Sequence, residues 1–129
     1  MDLDATLAQP ITAVFQHVAD PSRLGDWLGD VAGVEAGAAG PAGIGVVFAL
    51  MLRRGDGLVA ATGELVAYVP PWLVTFRLRD GAHTCVVRLE CTAGAGATRL
   101  HVHQADGDGA LTVDLARLAA AIAAAGAGE

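Results

Sequence analysis

The chain contains no lysine, and its eight arginines face fourteen acidic residues, which leaves a net charge of −6. A surface of this charge repels nucleic acid and anionic membranes, so we expect neither as a partner. The absence of lysine, with the excess of alanine and glycine, indicates the codon bias of a GC-rich genome rather than a functional requirement.

Long hydrophobic runs are also missing. The longest apolar stretch, Gly43–Leu52, is about half the length that a bilayer-spanning helix needs, so we expect no membrane span. The first residues, Met1-Asp2-Leu3-Asp4, are acidic and no apolar segment follows them, which is unlike a secretory signal. These features predict a cytoplasmic protein.

Cysteine occurs only twice, at Cys85 and Cys91. Both positions fall on one predicted strand, which would hold them about 20 Å apart. That separation exceeds the reach of a disulfide, so we expect two buried free thiols.

Residue sets for catalysis are absent as well. Serine occurs once, at Ser22, where a helix cap explains it, and the acidic residues fall in turns or on outward strand faces. The glycines between Gly37 and Gly45 precede a strand rather than a helix, which is unlike a phosphate-binding loop. The sequence therefore predicts no catalytic residue and no cofactor.

The 129 residues are 53% apolar, which is enough for one core, so we predict a single domain over 1–129 in which residues 126–129 form a disordered tail. A strand is predicted over residues 3–9. Two short helices follow, one opened by Pro10 and one capped by Asp20 ahead of Pro21. Alternating patterns then predict strands over 31–36, 45–53, 59–69, 72–79, 83–91 and 99–104, and helical periodicity predicts a last helix over Leu111–Ala125.

Strands at this spacing, joined by short turns, predict an antiparallel meander that packs on the last helix. The residues predicted to face that helix, or to lie beside it, are mostly small or medium in size, which would leave room for a ligand. They form the predicted ligand-binding set: Trp27, Phe48, Leu50, Leu65, Trp72, Val74, Phe76, Cys85, Val87, Leu89, Leu100, Val102, Gln104, Leu115, Leu118 and Ile122. The alternative is a collapsed core, because the alanines of the last helix also allow a close approach.

Polar residues on the predicted inner face are few. Gln104 is a candidate ligand contact or a hydrogen-bonded residue at the rim, and His83 is expected in solvent. The pair His101-x-His103 places two imidazoles on one strand face, and Asp106 or Asp108 could join them. Two histidines without a third ligand at a defined spacing are a weak zinc signal, so we predict no metal site.

One strand is apolar on both faces. Val47, Ala49 and Met51 lie on the side that should meet water. A contiguous exposed apolar area usually marks an interface, so we predict a homodimer through this surface, or its burial under an early helix or loop.

Several local motifs, in this order, resemble the START/polyketide-cyclase superfamily, and bacterial cyclase/dehydrase-like members in particular. They are Pro10-x-x-x-Val14-Phe15, Asp20-Pro21-x-x-Leu24-x-x-Trp27-Leu28, Gly43-x-Gly45-x-x-Phe48, Gly63-Glu64-Leu65, Tyr68-x-Pro70-Pro71 and Ala97-Thr98-Arg99-Leu100. The resemblance implies an α+β helix-grip fold, in which a seven-stranded curved antiparallel sheet surrounds the C-terminal helix and two short helices separate strands 1 and 2. It also implies a cavity for a lipid, polyketide, quinone or similar molecule.

The resemblance does not imply one chemistry, so several functions stay open. The first is binding of a hydrophobic small molecule without catalysis. The second is an enzyme of the polyketide aromatase/cyclase type, which would need an acid or base directed into the cavity. The predicted inward set contains no Asp, Glu, Arg or Tyr and therefore favours binding. The third is a carrier that serves a redox enzyme.

Overall fold

The computed structural model describes residues 2–35, 45–81, 83–106 and 113–127. Within these ranges the strands are β1 Asp2–Leu7, β2 Val31–Val34, β3 Val47–Arg54, β4 Gly57–Val69, β5 Leu73–Asp80, β6 His83–Ala93 and β7 Thr98–Asp106. The helices are α1 over Ile11–Val18, a 3₁₀ helix over Pro21–Asp26, and α2 over Leu115–Ala127.

The strands form one seven-stranded antiparallel sheet in the order β1-β7-β6-β5-β4-β3-β2. Consecutive strands from β2 to β7 are neighbours, and β1 closes the sheet beside β7. The pairing register shifts between Leu65 and Ala67 in β4 and between Val31 and Gly33 in β2, and such irregularities bend and twist a sheet. The predicted helix-grip architecture is confirmed.

The helices and the inner face of the sheet share one hydrophobic core. From α1, Val14, Phe15 and Val18 are buried, and the Phe15 ring lies 5.6 Å from that of Tyr68 in β4. From α2, Leu118 and Ile122 are buried. Apolar residues alternate along the strands because every second side chain lies on the face that packs against these helices.

The second short helix is a 3₁₀ helix. The Asp20 side chain accepts a hydrogen bond from the Ser22 N–H at 3.0 Å, which caps the helix as predicted. The helix spans only six residues, a length at which the tighter 3₁₀ geometry is common.

The bounds of α2 differ from the prediction. The helix begins at Leu115, because the Asp114 carboxylate accepts a hydrogen bond from the Arg117 N–H at 2.9 Å and caps it there. Leu111, the predicted start, lies outside the described residues. Residues 126 and 127 belong to the helix rather than to the predicted tail. Within the described ranges, no helix combines the length and the apolar character needed to cross a membrane.

Candidate functional site

The inner face of the sheet collects most of the predicted ligand-binding set. The members that are buried on this face or against it are Trp27, Phe48, Leu50, Leu65, Val74, Phe76, Cys85, Val87, Leu89, Leu100, Val102, Gln104, Leu118 and Ile122. Leu115 is half-buried and packs against the same core. The inward orientation predicted for these residues is confirmed.

Trp72 is the exception, and its predicted inward orientation is wrong. The side chain is 50% exposed. Strand β5 begins one residue later, and Trp72 lies in the turn, where its N–H donates to the Val69 carbonyl at 2.7 Å. A turn residue does not follow strand alternation, so Trp72 does not line the inner face.

The centre of the inner face is closely packed. Leu65, Val74 and Phe76 have no solvent-accessible surface, so they border no space that admits a water molecule. Buried side chains of α1, the 3₁₀ helix and α2 share one core with this face and fill the space beside it. A ligand at this level must therefore displace α2 or rearrange side chains.

One end of the inner face is open. An indentation there holds about 180 Å³ of empty space, part of it continuous with solvent. The indentation is too narrow to enclose a water molecule. It is lined by Leu52, Arg54, Leu78, Asp80, His83, Thr84 and Cys85. Apolar and ionisable side chains thus meet at the point where β3 and β5 end and β6 begins.

An ion pair between Arg54 and Asp80 lies at this opening. The Arg54 Nε and Nη2 atoms are each 3.0 Å from Asp80 Oδ2, and the Asp80 side chain is only 4% exposed. Asp80 Oδ1 is buried and has no hydrogen-bond partner among the described residues. A buried polar atom without a partner costs on the order of 1–3 kcal/mol, and more when it is charged. The site therefore offers an unused acceptor.

Two further polar features accompany the ion pair. The Gln104 amide donates to the Cys85 sulfur at 3.4 Å inside the core. Trp27 is fully buried, and its indole N–H has no partner among the described residues. The Trp27 carbonyl accepts a hydrogen bond from the Asp114 N–H at 2.9 Å, which connects the backbone at Trp27 with the start of α2.

Neither Arg54 nor Asp80 belongs to the ligand-binding set that the sequence predicts. Asp80 stands before Gly81, and the pair Asp-Gly predicts a turn, whereas the structure extends β5 through Asp80. The signal was present in the alternation: Asp80 continues the inward series Val74, Phe76, Leu78, and Arg54 continues Phe48, Leu50, Leu52. The inward set therefore does contain an acid and a cation, contrary to the sequence-based expectation.

Buried thiols and histidines lie elsewhere in the fold. Both cysteines are buried and free, as predicted, and burial raises the pKa of Cys91 to about 11. His17 is buried, with its Nε2 2.9 Å from Asp26 Oδ2 and its Nδ1 3.1 Å from Arg23. Burial first, and then the Arg23 charge, lower the pKa of His17.

The outward histidines of β7 face the aspartates of β1. His101 Nδ1 lies 2.8 Å from Asp4, and His103 Nδ1 lies 2.6 Å from Asp2. The hydrogen bond to Asp4 is the main cause that raises the pKa of His101. Among the described residues, no group of three or more side chains has the arrangement of a metal site. Asp108 lies outside those residues.

The comparisons with known proteins agree on the fold. Solved structures that resemble this chain include protein CV1439 of Chromobacterium violaceum (TM-score 0.71, 16% identity, 95% of both chains) and Mll3558 of Rhizobium loti (TM-score 0.62, 23% identity, 97% of this chain and 94% of that one). A third is CalU16 of Micromonospora echinospora (TM-score 0.57, 18% identity, 96% and 73%). At these identities the likeness establishes the fold alone. No curated protein matches the sequence significantly.

The profile of one sequence family covers almost the whole chain. It matches residues 2–128 and is described as polyketide cyclase / dehydrase and lipid transport. The superfamily resemblance drawn from the sequence motifs is thereby confirmed. Together with the seven-stranded antiparallel sheet, this match means that the chain belongs to the polyketide cyclase / dehydrase and lipid transport family.

Proposed function

We propose that this protein binds an apolar small molecule, such as a lipid, polyketide or quinone, between the inner face of its sheet and α2. The observation that carries the proposal is the contrast between the two layers. The sheet presents a continuous apolar surface, whereas Leu118 and Ile122 are the buried side chains of α2 among the residues whose burial the structure describes. The family description, with its cyclase and lipid-transport members, supports the same function.

The free energy gained when α2 packs on the core is similar to the free energy that a bound apolar ligand would gain, so ligand contacts can replace the helix contacts. Burial of Leu118 and Ile122 contributes about 1.5–3 kcal/mol each, so docking of α2 gains roughly 3–6 kcal/mol from them. A ligand that buries about 250 Å² of apolar surface gains about 6 kcal/mol. The inner face can therefore exchange its contacts with α2 for contacts with a ligand at little net cost.

The test combines native mass spectrometry with hydrogen exchange. The purified protein is screened for a co-purified apolar molecule and then titrated with a fatty acid, a polyketide and a quinone. We expect a bound mass and a rise in Tm with at least one of them, together with altered amide exchange in α2. A clean apo mass with no rise in Tm across the panel would contradict the proposal.

A second candidate function is catalysis of the aromatase/cyclase type, and Asp80 is the observation that favours it. A buried carboxylate with an unused oxygen can accept a proton from an enolisable ketone. The measurement is α-proton exchange of 2-tetralone in D₂O, followed by NMR. If the wild type accelerates the exchange and Asp80→Asn does not, the protein is an enzyme. If exchange proceeds at the rate in buffer, ligand binding without catalysis is the remaining function.

A cytoplasmic, bacterial setting is part of the proposal. Cys85 and Cys91 are buried free thiols, which are typical of proteins in reducing compartments. The net charge of −6 further supports a partner that is neither nucleic acid nor an anionic membrane.

A further inference from the structure

We propose that the ligand carries a hydroxyl group, and that Asp80 Oδ1 accepts a hydrogen bond from it at the open end of the inner face. This inference rests on the proposed binding function and adds the chemical class of the ligand. It makes Asp80 the recognition group and Arg54 the residue that positions it.

The geometry of the ion pair leaves one acceptor unused. Arg54 directs both Nε and Nη2 to the same oxygen, Oδ2, at 3.0 Å each. Oδ1 is buried and has no partner in the part of the chain that the structure describes. A carboxylate oxygen accepts hydrogen bonds and cannot donate them, so only a donor satisfies it.

The charges around the site select a neutral donor. The Arg54 guanidinium already balances the Asp80 carboxylate, so an ammonium group would bring an uncompensated positive charge close to Arg54. An anionic ligand would face the free carboxylate oxygen, and an ether or ketone has no hydrogen to donate. An alcohol, a phenol or an enol meets both conditions.

The residues around Asp80 indicate where the apolar part of such a ligand would lie. Leu52 and Leu78 line the opening beside the ion pair, and the inner face continues from them as a buried apolar surface. A hydroxyl at one end of an apolar body therefore lies at Asp80 while the body extends beneath α2. The opening must widen to admit it, as it would if the contacts of Leu118 and Ile122 with the core were exchanged for contacts with the ligand.

The test compares 2-naphthol with 2-methoxynaphthalene, which has nearly the same shape but cannot donate a hydrogen bond. Isothermal titration calorimetry gives both Kd values for the wild type. We expect 2-naphthol to bind about tenfold more tightly, the ratio that one hydrogen bond to a charged acceptor produces. In Asp80→Asn and Arg54→Gln the ratio falls to within about threefold.

The matched control is Glu64→Gln. Glu64 faces Arg77 at 3.8 Å across β4 and β5 on the outer side of the sheet, so the variant removes a comparable charge from the face opposite the opening. It should keep the wild-type ratio. Equal binding of the two probes by the wild type overturns the hydroxyl inference and leaves apolar binding intact, whereas failure of both probes to bind contradicts the proposed function as well. The wild-type comparison needs no variant and stands even if Asp80→Asn folds poorly.

Discussion

The ring of Phe48 lies directly on the backbone of Gly63 in the neighbouring strand. The two residues are register partners in β3 and β4, and a Cβ atom on Gly63 would overlap the Cε2 and Cζ atoms of that ring. On its other side, Phe48 meets Phe76 edge to face, with 6.2 Å between ring centroids. Gly63 thus makes the space in which the largest side chains of the inner face pack.

Replacement of Gly63 by alanine should therefore destabilise the fold. Forcing an extra methyl group into a packed core costs about 1–3 kcal/mol, and we expect this loss for Gly63→Ala in urea denaturation. The control is Gly33→Ala in β2, where a Cβ atom meets nothing within 4 Å. A Gly63→Ala variant as stable as Gly33→Ala would show that Phe48 relaxes freely.

His17 should make stability fall in acid. Its folded pKa lies below the ordinary value of 6.5, because burial and Arg23 disfavour the charged ring. Its contribution is present above pH 6.5 and is lost as pH falls through the folded pKa, since the unfolded state then binds the proton more readily. Urea midpoints measured from about pH 8 to about pH 5 should decline in acid for the wild type and decline less for His17→Gln. Parallel curves for the two proteins would contradict this expectation.

His101 should have the opposite pH dependence. Asp4 raises its folded pKa above 6.5, so its contribution is present below that pH and is lost as pH rises through the folded value. The group lies on the surface, so the effect on global stability is small. NMR titration of the imidazole reports the pKa directly, and Asp4→Asn should return it toward 6.5. An unchanged titration in that variant would exclude Asp4 as the cause.

The fold could be predicted from the sequence because alternating apolar residues mark the buried face of each strand. Leu65, Val74 and Phe76 illustrate this, since each was assigned to the face where it packs. Asp80 falls outside the predicted strand because the dipeptide it forms with Gly81 favours a turn, whereas in the structure it pairs with His83 of β6. How closely α2 approaches the sheet was also undetermined, because alanine permits both an open and a closed arrangement.

The outer face of β3 provides a test of assembly. Val47 is 57% exposed, Ala49 is exposed and Met51 is half-buried, so this surface remains available for a second copy. We expect the wild type to elute as a dimer in size-exclusion chromatography at high concentration, and Ala49→Glu to elute as a monomer with an unchanged Tm. Thr92→Glu, also exposed but on β6, is the control that should remain dimeric. A wild-type monomer at all concentrations would refute the homodimer.

Loosening α2 should strengthen ligand binding while it weakens the fold. Leu118→Ala removes a fully buried side chain of the helix and should cost about 2–5 kcal/mol of stability. Because a ligand beneath α2 must displace those contacts, the variant should bind the neutral probe N-phenyl-1-naphthylamine at least about tenfold more tightly in a fluorescence titration.

The matched control for that experiment is Leu7→Ala, the same substitution at a buried position on the edge strand β1. It should lose comparable stability without a gain in affinity. Both variants are measured in the cold, with circular dichroism to confirm that they are folded. If the two bind the probe equally, general loosening of the core explains the affinity; if only Leu118→Ala gains, the ligand lies where α2 closes on the sheet.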